Sequence, residues 1–205
     1  TKGKILLVDL NNEAGYPTLA IGCLKAPLIA EGYEVDVFSP LAHGMKPLPR
    51  DQQETFIDYA ISRLLFSASP TVEWAKEVLI SIYNKIRFRP TLKLKRTYRS
   101  LLTEGQYDGV MVSCYLQYYP MMVSIAAETK RHGIPLLLGG PYFNQQEVTK
   151  EWLKIDGVDY IFGGEADYVM PQLAKALIKK SGLESIKGVF HLNGELAGQA
   201  APPIA

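Results

Sequence analysis

Hydrophobic residues in this chain occur in short continuous runs that alternate with longer stretches of helical periodicity. The region Tyr107–Tyr142 contains a complete unit, with an apolar run at Val110–Cys114, a helical stretch opening near Pro120, a stop at Gly133–Pro135 and a second apolar run at Leu136–Leu138. Both runs are continuously apolar rather than alternating, as a parallel sheet covered on both faces requires. The pattern predicts a βαβ unit at the centre of a doubly wound sheet.

The same alternation of predicted strands and helices extends to both ends of the chain. Further strands are predicted at Lys4–Leu10, Tyr33–Phe38, Val158–Phe162 and Ile186–Leu192. Helices are predicted at about 18–31, 144–155 and 168–180, and Asn193-Gly194 is typical of a hairpin turn. The repeating order predicts an α/β fold, namely a Rossmann-like (flavodoxin-like) doubly wound sheet of five to six mainly parallel strands.

Residues 41–97 interrupt this order. Amphipathic helices are predicted at 51–67 and 70–87, and six basic residues without an acidic one lie between Arg87 and Arg99. We expect a helical pair inserted between the second and third strands, followed by a solvated basic connection. A patch for a phosphate-bearing partner is the minority interpretation of the basic residues. The prediction is one domain over residues 1–200 with a helical insert at 41–97.

Composition narrows the function classes. The chain has 205 residues, of which 47% are hydrophobic, and a formal net charge of +1. This balance allows a sizeable core and favours neither nucleic acid nor an anionic membrane as a partner. No apolar run approaches the ~20 residues of a membrane span. The two distant cysteines, Cys23 and Cys114, are typical of free thiols in a reducing compartment. We therefore predict a cytoplasmic protein without nucleic-acid or membrane partners.

The sequence contains no complete catalytic motif. There is no G-x-S-x-G, no Walker A loop and no G-x-G-x-x-G after the first strand, and the three histidines are not at metal-ligand spacing. A phosphoacceptor role is not expected either, because Ser113 and Cys114 stand where the third strand would need an aspartate. We predict no catalytic residue and no metal ligand in this chain.

Small, polar and aromatic residues follow several predicted strands, at the edge where α/β proteins bind ligands. Paired glycines let backbone approach a large flat or phosphorylated group, and tyrosines can present aromatic faces to a conjugated ring. One glycine pair is often only a turn, and clustered tyrosines are often packing, but their combination at one edge predicts a binding site. The candidate cofactor-binding residues are Asn11, Asn12, Glu13, Gly15, Tyr16, Pro17, Thr18, Ser113, Cys114, Tyr115, Leu116, Tyr118, Gly139, Gly140, Pro141, Tyr142, Gly163, Gly164 and Glu165.

Several segments, taken in their order and spacing, resemble the N-terminal cobalamin (B12)-binding domain of the B12-dependent radical SAM enzymes. They include Pro17-Thr18-Leu19, Gly139-Gly140-Pro141, and Val158-Asp159-Tyr160 followed by Gly164-Glu165. The resemblance covers almost the whole chain except residues 41–97. It implies a domain that holds cobalamin over the carboxyl edge of the sheet. The dimethylbenzimidazole tail would lie in a slot beside the sheet, near Ser113 and the glycine pair.

The first loop departs from cobalamin-binding domains that place a histidine on cobalt. Those domains carry Asp-x-His-x-x-Gly, whereas here Asp9 is followed by Leu10 and Asn11, and Gly15 comes one residue late. Radical SAM relatives commonly lack this histidine. The resemblance therefore implies base-off cobalamin without a histidine lower ligand, approached from below by Asn11, Asn12 or Tyr16, or by water. Axial ligation tunes such a metal, so a missing donor should favour its reduced form.

The cluster-binding CxxxCxxC of that family is absent from the sequence. The resemblance therefore implies that S-adenosylmethionine and a 4Fe-4S cluster are held by a C-terminal radical SAM domain, with residues 201–205 as the start of a linker. The full protein would then be a methyltransferase or a radical cyclase or rearrangement enzyme. Its substrate would be a small molecule or a peptide, and this chain would bind and position rather than catalyse.

Two other interpretations stay open. One is a stand-alone corrinoid carrier or sensor, and a carrier that shuttles methyl groups would be expected to keep the histidine loop. A nucleotide- or sugar-nucleotide-binding domain would use the glycine-rich edges for a diphosphate. Retention of a coloured corrinoid distinguishes the corrinoid interpretations from the nucleotide one.

Overall fold

The computed structural model describes residues 1–10, 19–40 and 90–201, together with the helical single positions 56, 59, 63, 76, 78 and 82. The predictions for the loop 11–18, for the extents of the two inserted helices and for residues 202–205 lie outside the described residues.

A single sheet organises the described residues. Its strands are β1 (Lys4–Asp9), β2 (Glu34–Phe38), β3 (Gly109–Ser113), β4 (Leu136–Gly139), β5 (Tyr160–Phe162), β6 (Val189–Asn193) and β7 (Glu195–Gly198). Their order is β2-β1-β3-β4-β5-β6-β7. The first five strands are parallel, and β6 and β7 are antiparallel additions. The predicted doubly wound, mainly parallel fold is confirmed, and the predicted turn at Asn193-Gly194 does open a hairpin, which adds β7.

In the part of the chain that the structure describes, five α-helices and two single-turn 3-10 helices cover the sheet. They are α1 (Leu19–Ala30), α2 (Leu92–Gly105), α3 (Tyr119–Arg131), α4 (Gln146–Trp152) and α5 (Met170–Lys179), with 3-10 turns at Leu116–Tyr118 and Leu183–Ser185. Turns after α1 and α3 use Gly32 and Gly133, whose positive φ angles of 87° and 68° favour glycine. Within the described residues, no helix is long and apolar enough to cross a bilayer.

Successive residues of each strand face opposite sides of the sheet, so the strands supply two separate cores. Leu6, Val110, Leu136 and their alternates pack with α2, α3 and α4. Leu7, Met111, Leu137 and Phe162 pack on the other face with residues of α1 and α5. This arrangement explains the continuous apolar runs in the sequence, and it fixes which side chains can meet a ligand on each face.

Helix α2 corrects the described part of the connection predicted at residues 87–99, because residues 92–99 are helical, although their basic side chains are exposed as expected. Thr91 caps the helix by accepting a hydrogen bond from the Leu94 amide at 3.1 Å. Leu94, Tyr98 and Leu102 are buried at helical spacing, while the intervening basic residues lie outside. The predicted insert, residues 41–97, therefore overlaps the start of a helix that belongs to the core.

Candidate functional site

A slot of about 260 Å³ lies between the sheet and helices α1 and α5 and opens at the carboxyl edge of the parallel strands. Its floor consists of the side chains of Leu7, Met111, Leu137 and Phe162, one from each of four adjacent strands. Its roof consists of Ala20, Ile21 and Leu24 of α1 and Met170 and Leu173 of α5. The buried part of the slot is therefore lined by hydrocarbon, thioether and aromatic groups.

The mouth of the slot brings together residues from the ends of three strands. It is formed by Ser113 and Tyr115 after β3, Gly139, Gly140 and Pro141 after β4, and Gly164, Glu165, Ala166 and Asp167 after β5. The strand register places Ser113 beside Gly139, and Gly139 beside Phe162. Seven of the predicted site residues thus line this slot, namely Ser113, Tyr115, Gly139, Gly140, Pro141, Gly164 and Glu165.

The two glycines at the end of β4 differ in whether the surrounding structure would tolerate a side chain. A Cβ built on Gly139 would lie 3.8 Å from the Phe162 carbonyl oxygen and 3.9 Å from the Val112 carbonyl oxygen, which is ordinary van der Waals contact. A Cβ on Gly140 would lie 2.2 Å from the Cys114 carbonyl oxygen, so the turn itself requires glycine there. Packing among the described residues does not require glycine at 139, and its effect is to leave the floor of the slot open.

At Gly163, as at Gly140, the neighbouring backbone leaves no room for a side chain. A Cβ on Gly163 would lie 2.1 Å from the Phe143 carbonyl oxygen, and Gly163 does not line the slot. Its role in the structure is to let two backbone segments approach each other behind the mouth.

Three predicted residues on the β3 loop face the other core. Cys114 and Tyr118 are buried among the residues that pack with α2 and α3, and Leu116 packs against the same cluster. Burial raises the pKa of the Cys114 thiol, so it stays protonated at neutral pH. Tyr142 is half-exposed and contacts Tyr115 edge to face, with ring centroids 6.2 Å apart. The candidates Asn11, Asn12, Glu13, Gly15, Tyr16, Pro17 and Thr18 lie outside the described residues.

The roof residues are not among the predicted site residues, which all lie at or after the ends of predicted strands. Ile21 and Leu24 are three residues apart on α1, and Met170 and Leu173 are three apart on α5. This spacing places each pair on one helical face, which is the signal that could have identified them.

The mouth carries negative charge. Glu165 and Asp167 are exposed there, and no lysine, arginine or histidine lines the described part of the slot. Elsewhere, the His132 ring contacts the backbone carbonyl of Glu128 at 2.9 Å, and the His191 ring lies 6.1 Å from that of Tyr160. Neither of these two described histidines is near the slot.

The C-terminal part of the described chain returns to the mouth. The Gly188 amide donates a hydrogen bond to the Gln199 carbonyl oxygen at 2.7 Å, which directs the chain beyond β7 toward β5. Ala201 then packs so close to Gly164 that a Cβ on Gly164 would lie 2.7 Å from the Cβ of Ala201. The chain therefore leaves the described fold beside the slot.

Comparison with solved structures identifies the class of fold. The chain is similar to the radical S-adenosylmethionine methyltransferase TsrM from Kitasatospora setae with cobalamin and a 4Fe-4S cluster bound, with a TM-score of 0.59 and 15% identity over 100% of this chain and 30% of TsrM. TsrM with tryptophan substrate and a SAM analogue bound gives a TM-score of 0.58 and 16% identity, over 96% of this chain and 30% of TsrM.

A second enzyme shares the fold. The cobalamin-dependent S-adenosylmethionine radical enzyme OxsB with aqua-cobalamin bound gives a TM-score of 0.53 and 14% identity over 98% of this chain and 23% of OxsB. The chain thus spans less than a third of the length of either enzyme. At these identities the likeness shows a shared fold. The sequence matches no protein-family model and none of the curated proteins with which it was compared.

Proposed function

We propose that this chain is the cobalamin-binding domain of a B12-dependent radical SAM enzyme. The observation that carries the proposal is the apolar slot between the sheet and helices α1 and α5, which opens beside Ser113, Gly139 and Gly140. This is the place where the resemblance in sequence puts the dimethylbenzimidazole tail. The shared fold with TsrM and OxsB, both described with cobalamin bound, supports the same conclusion.

The slot fits part of a large cofactor. Its volume of about 260 Å³ is slightly below the roughly 300–1,000 Å³ of sites that enclose whole small molecules. The slot is therefore suited to a flat bicyclic ring, and the remainder of the cofactor would lie over the carboxyl edge. The open floor at Gly139 supports this assignment, since no packing among the described residues requires a glycine there.

Residues at the mouth would then hold the cofactor beyond its tail. Ser113 offers a hydroxyl, Gly139 and Gly140 allow close approach of backbone, and Tyr115 with Tyr142 offers half-exposed aromatic surface. When bound, cobalamin supplies a cobalt centre that can carry a one-carbon group. Since neither described histidine is near the slot, we propose that the cofactor binds base-off without a histidine lower ligand.

The chemistry of the whole protein belongs to the proposal as well. We propose that S-adenosylmethionine and a 4Fe-4S cluster are held by a radical SAM domain that follows this chain. The full protein would be a methyltransferase, or a radical cyclase or rearrangement enzyme, for a small-molecule or peptide substrate. This chain's contribution would be to bind and orient cobalamin.

The charge at the mouth argues against the nucleotide alternative. A diphosphate at the carboxyl edge would lie near the carboxylates of Glu165 and Asp167, and no basic side chain lines the described part of the slot. Repulsion between like charges disfavours binding. Cobalamin carries one phosphodiester charge where a nucleotide diphosphate carries at least two, and the ring placed in the slot is uncharged, so this repulsion is weaker for cobalamin.

The direct experiment is to incubate the purified chain with hydroxocobalamin, desalt it and record the visible spectrum. We expect retained pigment with a base-off band. A colourless protein after desalting would refute cobalamin binding, and retained pigment with a base-on or histidine-ligated spectrum would refute the proposed lower face.

Substitution of Gly139 tests the position of the site. Gly139→Leu adds a side chain where the Cβ alone is tolerated, so we expect the fold to persist and the slot to fill. Pigment retention should fall by at least about tenfold, while far-ultraviolet circular dichroism stays unchanged. Gly22→Leu is the matched control, because Gly22 is exposed on α1 and no atom of the described residues lies within 4 Å of an added Cβ. Equal retention by Gly139→Leu and wild type would show that the slot is not the binding site.

A further inference from the structure

The interior of the slot is lined by apolar side chains. Leu7, Met111, Leu137, Phe162 and Leu173 are each at most 5% exposed, and they form the inner floor and roof. The polar side chains of the described lining, Ser113, Tyr115, Glu165 and Asp167, all lie at the mouth and are partly or largely exposed. A ring bound in the slot is therefore surrounded by apolar side chains, whereas groups at the mouth are near polar ones.

The backbone groups of the described deep slot are also unavailable for hydrogen bonds to a ligand. The floor residues belong to parallel strands whose neighbours are in register, Leu7 beside Met111 and Met111 beside Leu137, so their amide and carbonyl groups are used in the sheet. In the roof, the amides of Met170 and Leu173 donate to the carbonyl oxygens of Ala166 and Val169. Leu24 lies beyond the first turn of α1, where backbone groups pair within the helix. The deep slot therefore offers no hydrogen-bonding group to a ligand from its described walls.

From this lining we infer that the slot selects corrinoids by the base of their nucleotide tail, accepting benzimidazoles and rejecting purines. The inference rests on the proposed function and adds a specificity to it. A dimethylbenzimidazole inserts a hydrocarbon edge into the slot, which matches the walls. An adenine inserts ring nitrogens and an exocyclic amine, which lose their water and find no partner.

The size of the effect follows from comparable sites. Apolar pockets discriminate against a ligand with an extra polar group by roughly 10- to 100-fold, because the unpaired group is desolvated. We expect the chain to bind cobalamin at least about tenfold more tightly than the corrinoid that carries adenine in place of dimethylbenzimidazole, a difference of ~1.4 kcal/mol. A corrinoid with no base, cobinamide, should also bind more weakly than cobalamin, since it leaves the slot empty of a ring.

The test is equilibrium dialysis of the wild-type chain against these three corrinoids. Equal affinity for cobalamin and the adenine-containing corrinoid would overturn the inference and leave cobalamin binding in place. Equal affinity for cobalamin and cobinamide would also overturn it, because the tail would then not occupy the slot. Failure to retain any of the three would refute the proposed function and the inference together.

A pair of variants tests whether the apolar lining causes the preference. Met111→Gln keeps the length of the side chain and places an amide in the floor, where it can pair with a purine edge. We expect the preference for cobalamin to fall several-fold in this variant and to persist in Met111→Leu, with thermal melting used to check that both fold. An unchanged preference in a folded Met111→Gln would contradict the assignment of the floor. Should that variant not fold, the three-corrinoid comparison on the wild type still decides the inference.

Discussion

The buried hydroxyl pair between helices α2 and α3 leads to a quantitative prediction. The hydroxyl oxygens of Tyr98 and Thr129 are 2.7 Å apart, and both residues are at most 1% exposed. The Thr129 hydroxyl also donates to the Ile125 carbonyl oxygen at 2.8 Å. Thr129 has one hydroxyl proton, and that bond uses it. Tyr98 must therefore be the donor in the pair, and Thr129 the acceptor.

This assignment makes the two truncations unequal. Tyr98→Phe removes the donor and leaves Thr129 bonded to Ile125, so we expect a loss of about 1 kcal/mol in the free energy of unfolding. Thr129→Val keeps the shape but leaves the tyrosine hydroxyl buried without an acceptor, for which we expect about 1–3 kcal/mol. In the double variant no hydroxyl remains unpaired, so its loss should be smaller than the sum of the single losses by ~1 kcal/mol.

Urea unfolding followed by circular dichroism measures all four proteins of this cycle. A coupling within about 0.3 kcal/mol of zero would show that the two hydroxyls do not stabilise each other. A larger loss for Tyr98→Phe than for Thr129→Val would show that the donor has been assigned to the wrong residue. Similar slopes of unfolding free energy against urea concentration would confirm that all four proteins expose a similar surface when they unfold.

Three further predictions concern ionisable groups. A hydrogen bond from Arg99 lowers the pKa of Glu128, so its contribution to stability is present above the ordinary carboxyl pKa of about 4.3 and is lost as pH falls through the lowered value. Urea unfolding across this range should show a weaker acid dependence for Glu128→Gln, and an unchanged one would contradict the role of the pair. Burial raises the pKa of Asp159, so its carboxylate opposes folding as pH rises through that value. Asp159→Asn should therefore be more stable than wild type at pH 7 and similar to it at pH 3, and lower stability at pH 7 would refute the reasoning. Cys23 is exposed and Cys114 is buried, so a thiol reagent should label one cysteine in the native chain and two after denaturation; two rapidly labelled native thiols would be inconsistent with this packing.

Hydrophobic patterning predicts the sheet well because its strands are covered on both faces. Four of the five parallel strands lie where continuous apolar runs predict them, although β5 starts at Tyr160 rather than Val158. The fifth, β2, lies where the alternating stretch Tyr33–Phe38 predicts it. Helix α2 was missed for a physical reason. Its buried residues, Leu94, Tyr98 and Leu102, are only three among many charged ones, and the basic character of the segment hides a narrow apolar stripe. A search at helical spacing rather than by charge would have found it.

The residues at the mouth of the slot were predicted from the sequence, but those that line its interior were not. Glycine pairs and a serine at strand ends identify the mouth, because parallel strands end together. The sequence could not show which face of the sheet these residues meet. Once Ser113 faces the slot, Cys114 must face the opposite core, since neighbouring strand residues alternate. The roof from α1 and α5 depends on how the helices pack, which no local pattern specifies.

The position of Ala201 against Gly164 has a practical consequence for work on this chain. A fluorescent reporter or affinity tag attached directly after Ala201 would start next to the opening through which a ligand would pass, and its bulk or charge would disturb binding titrations. Thr1 precedes β1 at the opposite edge of the sheet, so an N-terminal fusion keeps that opening clear.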